Sequence, residues 1–427
     1  MLSRSDFAAT FPTRSTALEA RADAAVIQGK AIAEWLRRYT YVASVAAFPM
    51  PTIGAENNVL VSSLRGADYF DAAYDRLLDQ LTEEDYMNAV SYICNNAFAI
   101  KGIDSIGLSD ADIRGGSQGF FSETLTENVC LYPCQSVLSS TFNLSLATEM
   151  GNALGEEALA FHHRCLGWYG PSLDVHRSPF AGRYADSFSE DPLLTGEFGA
   201  AIVSATMEKG LVSFVRHFGL HQQESFKNSH LCVWANEQTI REIYLRPFEI
   251  VVKKAEASLS YTGLAGAVHH RTMRACTGIL SSSIYLGARW SGGRKDLLST
   301  LLKKQWGFQG VISSDINQVS YMNPMQALLA GTDIENALAS FKDHTLVDLK
   351  NPTIRWEVRR AIKNVAYLSA NSNAMQYVAP GSRLEYDISP WRVFFYVGEV
   401  VFFLSSAASI AWIIVRMRRV KKESELE

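Results

Sequence analysis

Between about residue 82 and residue 370, short apolar runs alternate with longer amphipathic stretches, and this alternation restricts the fold more than any other feature of the chain. CLGWYGPSLDV, LVSFVRHF and GVISSDI are rich in Val, Ile, Phe and Leu and read as short buried strands. Between them, SLATEMGNALGEEALAFHH and ANEQTIREIYLRPFEIVVKKAE read as amphipathic helices. A strand buried on both faces needs a covering layer, so this order implies a parallel sheet with helical crossovers. About 290 residues of such a pattern suit an α/β fold of the (β/α)8 TIM-like barrel type with insertions, typically ~250 residues. A doubly wound open sheet is the alternative, but no GxGxxG loop follows any of these runs. Thr82 and Asp85 stand at capping-box spacing before YMNAVSYI and predict a helix start there.

The C-terminus is different in kind. Residues 393–415 read VFFYVGEVVFFLSSAASIAWIIV, long enough at ~1.5 Å per residue to cross a hydrocarbon core of ~30 Å. The single charge, Glu399, sits near one end, and Trp391, Phe394, Phe395 and Trp412 lie where aromatic belts form. The tail, residues 416–427, is basic, with Arg416, Arg418, Arg419, Lys421 and Lys422. By the positive-inside rule a single-pass helix at the cell membrane would leave this tail cytoplasmic and the preceding domain extracellular. A buried core helix is the alternative, opposed by length, flanking charge and position. The opening MLSRSDFAATFPTRSTALEARADAA has no continuous apolar stretch behind its first charges, so it does not read as a signal peptide. Export then implies either a tail anchor or a natural start upstream.

Residues 1–55 read as a connector or packing segment, 56–370 as the barrel, and 371–392, with two prolines and a glycine, as a linker. The formal net charge is -4 and no basic stripe occurs outside the tail, which excludes a nucleic-acid partner. The six cysteines show no CxxC spacing, so neither a cysteine zinc site nor a disulfide framework is expected.

In a barrel, polar groups just past the C-terminal ends of strands form the active site. GVISSDI delivers Asp315, LVSFVRHF delivers Arg216 and His217, and after CLGWYGPSLDV come Asp174, Arg177, Arg183, Asp186, Glu190 and Asp191. Each alone has a plain structural reading, as a helix cap or an ion-pair turn. A carboxylate, arginines and a histidine on separate strand ends are a stronger joint signal.

These segments resemble glycoside hydrolase family 3. DVHRSPFAGRYADSFSEDPLLTGEFG is similar to the family's run of Asp, Arg, Pro, Gly-Arg, an acidic residue and Ser-Glu-Asp-Pro. VRHFGLHQQES is similar to its Lys-His-Phe segment, and LLKKQWGFQGVISSDI to its nucleophile strand, in order between about residues 100 and 340. The resemblance implies a retaining, exo-acting β-glucosidase-like activity on β-glycosides or short oligosaccharides, with no metal or cofactor. It makes Asp315 the catalytic nucleophile, with Arg183, Arg216 and His217 holding sugar hydroxyls. A retaining glycosidase needs an ionised carboxylate below the anomeric carbon and an acid ~5–5.5 Å away.

Three departures accompany it. The early Asp-Gly-Pro motif is best matched by GGSQGF, which puts Gly115 in place of the sugar-binding aspartate, with Asp110 or Asp112 as substitutes of shifted spacing. Arg216 and His221 replace the usual Lys and Asn, and Leu280 and Ile284 replace Met and Asn. The acid/base, usually a glutamate on a separate α/β sandwich domain, has no counterpart in this chain. The opening LSRSDFAATFPT resembles the connector that follows such a sandwich in a circularly permuted, membrane-anchored branch, which implies a separate or upstream domain as partner. Two rival readings are a non-catalytic membrane-tethered carbohydrate-binding barrel and an N-acetylglucosaminidase using His230. Glu224 and Glu237 read as structural hydrogen-bonding groups.

Overall fold

The protein is described by a computed structural model in which residues 49–95, 99–120, 129–161, 165–229, 231–258, 278–287, 289–316, 322–336, 348–375 and 390–424 are placed. It forms two compact units, Met1–Ser382 and Arg383–Glu427.

The first unit is built on a six-stranded sheet in the order β1 (Ala99–Ile100), β2 (Ala111–Gly115), β3 (Cys165–Tyr169), β4 (Val212–Phe218), β6 (Gly278–Ser281) and β9 (Val311–Ser313). β1 and β2 form an antiparallel pair, and every later neighbour is parallel. A parallel bridge from Ser313 to Ile334 carries the order one step further. Half of a barrel is thus laid out in sequence order. A small second sheet joins β5 (Cys232–Val233), β7 (Tyr285–Leu286) and β8 (Arg289–Trp290).

Two glycines explain how the middle of the sheet closes. Phe214 on β4 is fully buried between Gly167 on β3 and Gly278 on β6. A Cβ on Gly278 would lie 2.2 Å from the Phe214 ring and one on Gly167 2.6 Å from it. The ring therefore occupies space that both neighbouring strands leave open. Around it pack Trp168, Val215, Ile279 and Ile312 in one continuous core.

The helices Leu144–Ala160, Pro192–Glu208 and Arg246–Ser258 pack successively on one another outside the sheet. Several helix starts use one device, an Asn or Asp cap followed by proline. Asp191, Asn323 and Asn351 each accept backbone N–H groups of the first turn, and Pro192, Pro324 and Pro352 stand where no N–H is needed. The expected capping box is present: Thr82 N–H donates to Asp85 Oδ2 (2.8 Å) and Asp85 N–H to Thr82 Oγ1 (3.1 Å). The stretch ANEQTIREIYLRPFEIVVKKAE is not one regular helix, because a π-helical segment, Ile240–Tyr244, precedes Arg246–Ser258.

Two boundaries differ from the sequence reading. Residues 371–375, taken as the start of a linker, belong to the first unit, with Asn371, Ser372, Ala374 and Met375 buried. Asn371 Oδ1 accepts the Gly66 N–H (2.9 Å) and Asn373 N–H donates to the Gly210 carbonyl (2.7 Å). The two prolines and the glycine suggested a linker; the Asn371 and Ser372 side chains instead satisfy backbone groups of the domain. Among the described residues the second unit is a helix, Pro390–Ser424, so helix extends through most of the basic tail. Lysines and arginines at a helix C-terminus favour its continuation. Within it, Val393–Arg418 is long and apolar enough to cross a membrane. Of the N-terminal connector only residues 49–55 are described, and there the Pro49 carbonyl accepts the Trp356 Nε1–H (2.9 Å). Cys130 and Cys134 are free thiols.

Candidate active site

The parallel strands all end on the same face, and four of the five site residues expected from sequence meet there. Asp315 lies two residues past β9, its N–H donating to the Ser281 carbonyl at the end of β6 (3.1 Å). That bond places the carboxylate between two strand ends. Oδ1 accepts the Ile316 N–H (2.8 Å), whereas Oδ2 is buried with no hydrogen-bond partner among the described residues. The nearest ring nitrogen, His221 Nδ1, lies 3.8 Å from Oδ2.

β4 contributes Arg216 and His217 from its last turn of pleat, joined by a cis peptide bond. His217 is buried, and its Nδ1–H donates to Asp174 Oδ2 (2.7 Å). Burial, then the neighbouring His221, Arg183 and Arg216, push His217 well below the ordinary imidazole range, so it is neutral with Nε2 as an acceptor. Arg183 Nη1 lies 3.4 Å from that nitrogen. Burial raises Asp174 to about 6, against the pull of His221 and Arg183.

Arg183 joins two carboxylates, through Nε to Glu224 Oε1 (2.5 Å) and Nη1 to Asp186 Oδ2 (3.3 Å). Asp186 also lies 3.9 Å from Arg216 Nη2 and accepts the Ser117 hydroxyl (2.5 Å). Glu224 takes bonds from Arg183, from His221 Nε2 (2.6 Å) and from Lys227 Nζ (2.6 Å). Burial would raise the Glu224 carboxyl, but His221, Lys227 and Arg183 outweigh it and hold it far below the usual range. Asp174, His176, Arg183, His221 and Glu224 line a small, partly open cleft of about 10 Å³, room for about one water molecule.

Asp112 is the exception. It stands at the start of β2, opposite Cys165, with its carboxylate 3.6 Å from Arg114. The end of β2 that reaches the site's face is Gly115, ~10 Å further at ~3.3 Å per residue. Asp110 is likewise held elsewhere, accepting the Gly102 N–H (2.6 Å). Near the place expected for Asp112, the structure puts Ser117 bonded to Asp186.

Glu224 makes the structural hydrogen bonds expected of it and makes them inside the cluster, to Arg183, His221 and Lys227, whereas Glu237 bonds along its own turn to Arg241 (2.9 Å). Glu190–Asp191–Pro192 is a helix cap, with Asp191 Oδ1 accepting the Leu193 N–H (2.7 Å). Sequence reasoning missed Ser117, although it lies within GGSQGF, the segment matched to the early Asp-Gly-Pro motif. It also passed over Phe180, Tyr184 and Phe226, which stand exposed in the loops that carry Arg183 and Glu224. His230 lies outside the described residues.

The family model "Glycosyl hydrolase family 3 N terminal domain" matches residues 107–368. The chain is 31% identical over 241 residues to β-glucosidase A of Butyrivibrio fibrisolvens, covering 56% of this chain and 26% of that protein. It is 29% identical over 287 residues to a β-glucosidase of Ruminococcus albus, covering 64% of this chain and 28% of that protein. The chain therefore spans about a quarter of the length of these relatives. Among solved structures, a β-glucosidase from Paenibacillus barengoltzii superposes with a TM-score of 0.63 at 23% identity over 83% of this chain and 37% of that one. β-Glucosidase 3B from Thermotoga neapolitana, in complex with α-D-glucose, gives 0.57 at 22% identity over 71% and 43%. With its family model covering more than half of its length, the chain belongs to glycosyl hydrolase family 3.

Proposed function

We propose that this chain carries the sugar-binding and nucleophile half of a retaining β-glycoside hydrolase, with Asp315 as the nucleophile. The observation that carries the reading is the Asp315 carboxylate, which is positioned by two strand ends and, among the described residues, leaves Oδ2 without a hydrogen-bond donor. A free lone pair suits attack on an anomeric carbon. The aglycone oxygen would leave with a proton as the Asp315–sugar ester forms, and water would then release the sugar. Arg183, Arg216 and His217 present donors and an acceptor on the same face, suited to hydroxyls whose hydrogen bonds strengthen as the oxocarbenium ion develops. In place of Asp112 we assign Asp186 to this group. Exposed Phe180, Tyr184 and Phe226 suit stacking against the apolar face of a sugar.

The three other carboxylates of the cluster are poor proton donors. Asp186 and Glu224 are tied to arginine and lysine, and Asp174 is occupied by His217. We infer that the acid/base comes from a separate α/β sandwich domain, upstream or on a partner chain. We further infer a closed (β/α)8 barrel, a single membrane span at Val393–Arg418, an extracellular barrel and a cytoplasmic tail; the length, apolarity and basic flank of the helix support this topology. The non-catalytic sugar-binding reading draws on one feature, the mutual pairing of Arg183, Asp186 and Glu224 across the cleft.

The full chain in detergent, treated with a 2-deoxy-2-fluoro glycoside bearing an activated leaving group, separates the two readings. Such a substrate leaves without acid assistance, so it tests Asp315 alone. Intact-mass spectrometry is expected to find one sugar added, and none on folded Asp315→Asn. No adduct with 2-fluoro gluco or xylo donors, or with a 5-fluoro N-acetylglucosamine donor, would leave the non-catalytic reading.

A further inference from the structure

We propose that His217, His221 and Asp315 together bind a divalent transition-metal ion of the Zn²⁺ class, and that this ion and a sugar on Asp315 exclude each other. One ligand atom from each residue can be chosen so that all three lie within 4.8 Å of one another. Two imidazoles and a carboxylate are a common zinc donor set, leaving a fourth position for water.

The second layer of the site carries the argument. A metal-bound histidine characteristically donates its other ring N–H to a carboxylate, which fixes the tautomer and aims the free nitrogen. Both histidines do this. His217 Nδ1–H is given to Asp174 (2.7 Å), leaving Nε2, and His221 Nε2–H is given to Glu224 (2.6 Å), leaving Nδ1. The two rings lie 4.4 Å apart between centroids, and Asp315 Oδ2 is the orphaned acceptor beside them. Each of the three neighbouring side chains thus keeps one acceptor atom without a strong donor among the described residues.

Distances and charge are compatible with an ion. With bonds of ~2.0–2.2 Å, tetrahedral ligand atoms lie about 3.4 Å apart. His221 Nδ1 and Asp315 Oδ2 are already at 3.8 Å, within a small side-chain rotation of that value. The ion would replace two weak contacts, the Ser282 hydroxyl on His221 Nδ1 (3.2 Å) and Arg183 Nη1 on His217 Nε2 (3.4 Å). Arg183 keeps Glu224 and Asp186 as partners. Among the described residues the cluster sets the carboxylates of Asp174, Asp186, Glu224 and Asp315 against Arg183, Arg216 and Lys227, an excess of negative charge that favours a cation. Binding stands independently of the glycosidase reading; only the exclusion rests on it.

The test uses the full chain in detergent. Zn²⁺ is titrated by calorimetry, and Co²⁺ serves as a spectroscopic substitute. Expected are one site, Co²⁺ d–d bands of a four- or five-coordinate ion without thiolate charge transfer, and binding weakened roughly 100-fold or more in His221→Asn and in Asp315→Asn. Zn²⁺ should also stop fluoroglycoside labelling of the parent protein, and EDTA should restore it. The site is overturned by absent d–d bands, by a thiolate band, or by parent-like affinity in both variants. Loss of labelling with every donor while Zn²⁺ still binds would remove the glycosidase reading, and the exclusion with it. Labelling that proceeds unchanged in saturating Zn²⁺ would remove the metal proposal alone.

Discussion

Glu224 accepts hydrogen bonds from Arg183, His221 and Lys227 at once, and these bonds set its chemistry more than its own pKa does. A carboxyl whose folded pKa is depressed binds fewer protons folded than unfolded as pH falls. Its stabilisation is complete above its ordinary value of 4.5 and is lost as pH falls toward the folded value. Asp174 has the opposite sign. Raised to about 6 from 3.8, chiefly by burial, it favours the folded state below its ordinary value, and that preference is lost as pH rises through about 6. Glu224→Gln isolates the first effect: between about pH 5 and about pH 3 its Tm is expected to fall less than that of the parent. Thermal unfolding followed across that range checks this, and equal slopes for the two proteins would mean that Glu224 is not held ionised by its partners.

At the scale of elements, the sheet depends on where side chains are missing as much as on where they are present. Phe214 fills the space over Gly167 and Gly278, and a fully buried ring between two strands has nowhere to move. Gly278→Ala places a methyl against that ring, and overpacking of this kind costs about 1–3 kcal/mol. Denaturant unfolding is expected to record that loss. Combining it with Phe214→Leu should recover part of it, because the two changes share one volume. Additive losses would show that β4 and β6 adjust independently.

At the scale of the molecule, one question is whether the helix Pro390–Ser424 lies in a bilayer. Ser406 falls near the middle of Val393–Arg418. An arginine there costs insertion about 2.5–3.5 kcal/mol. Ser406→Arg is therefore expected to shift much of the protein from the carbonate-resistant membrane fraction to the extractable one, while Glu399→Gln, near the end of the span, should not. If Ser406→Arg partitions as the parent does, the helix is not held by hydrocarbon.

Local pattern alone was enough for the strands CLGWY, VSFVRHF and VIS, the capping box at Thr82 and the apolar span, because burial periodicity, cap chemistry and length are properties of contiguous residues. The same pattern placed Asp315, Arg183, Arg216 and His217 at strand ends, and parallel strands carry their C-terminal ends to one face. The family resemblance offered Asp112 at a shifted spacing and misjudged it, since position along a strand depends on register, and register is set by the neighbours Ala99 and Cys165. The sequence also left Ser117 unmarked and did not place Glu224 within the cluster. Their partners Asp186 and Arg183 lie 69 and 41 residues away, and only the folded sheet brings them within hydrogen-bond reach. Residue types announce which chemistry is available; whether a carboxylate is free, like Asp315, or committed, like Glu224, is decided by the charges that the tertiary structure sets beside it.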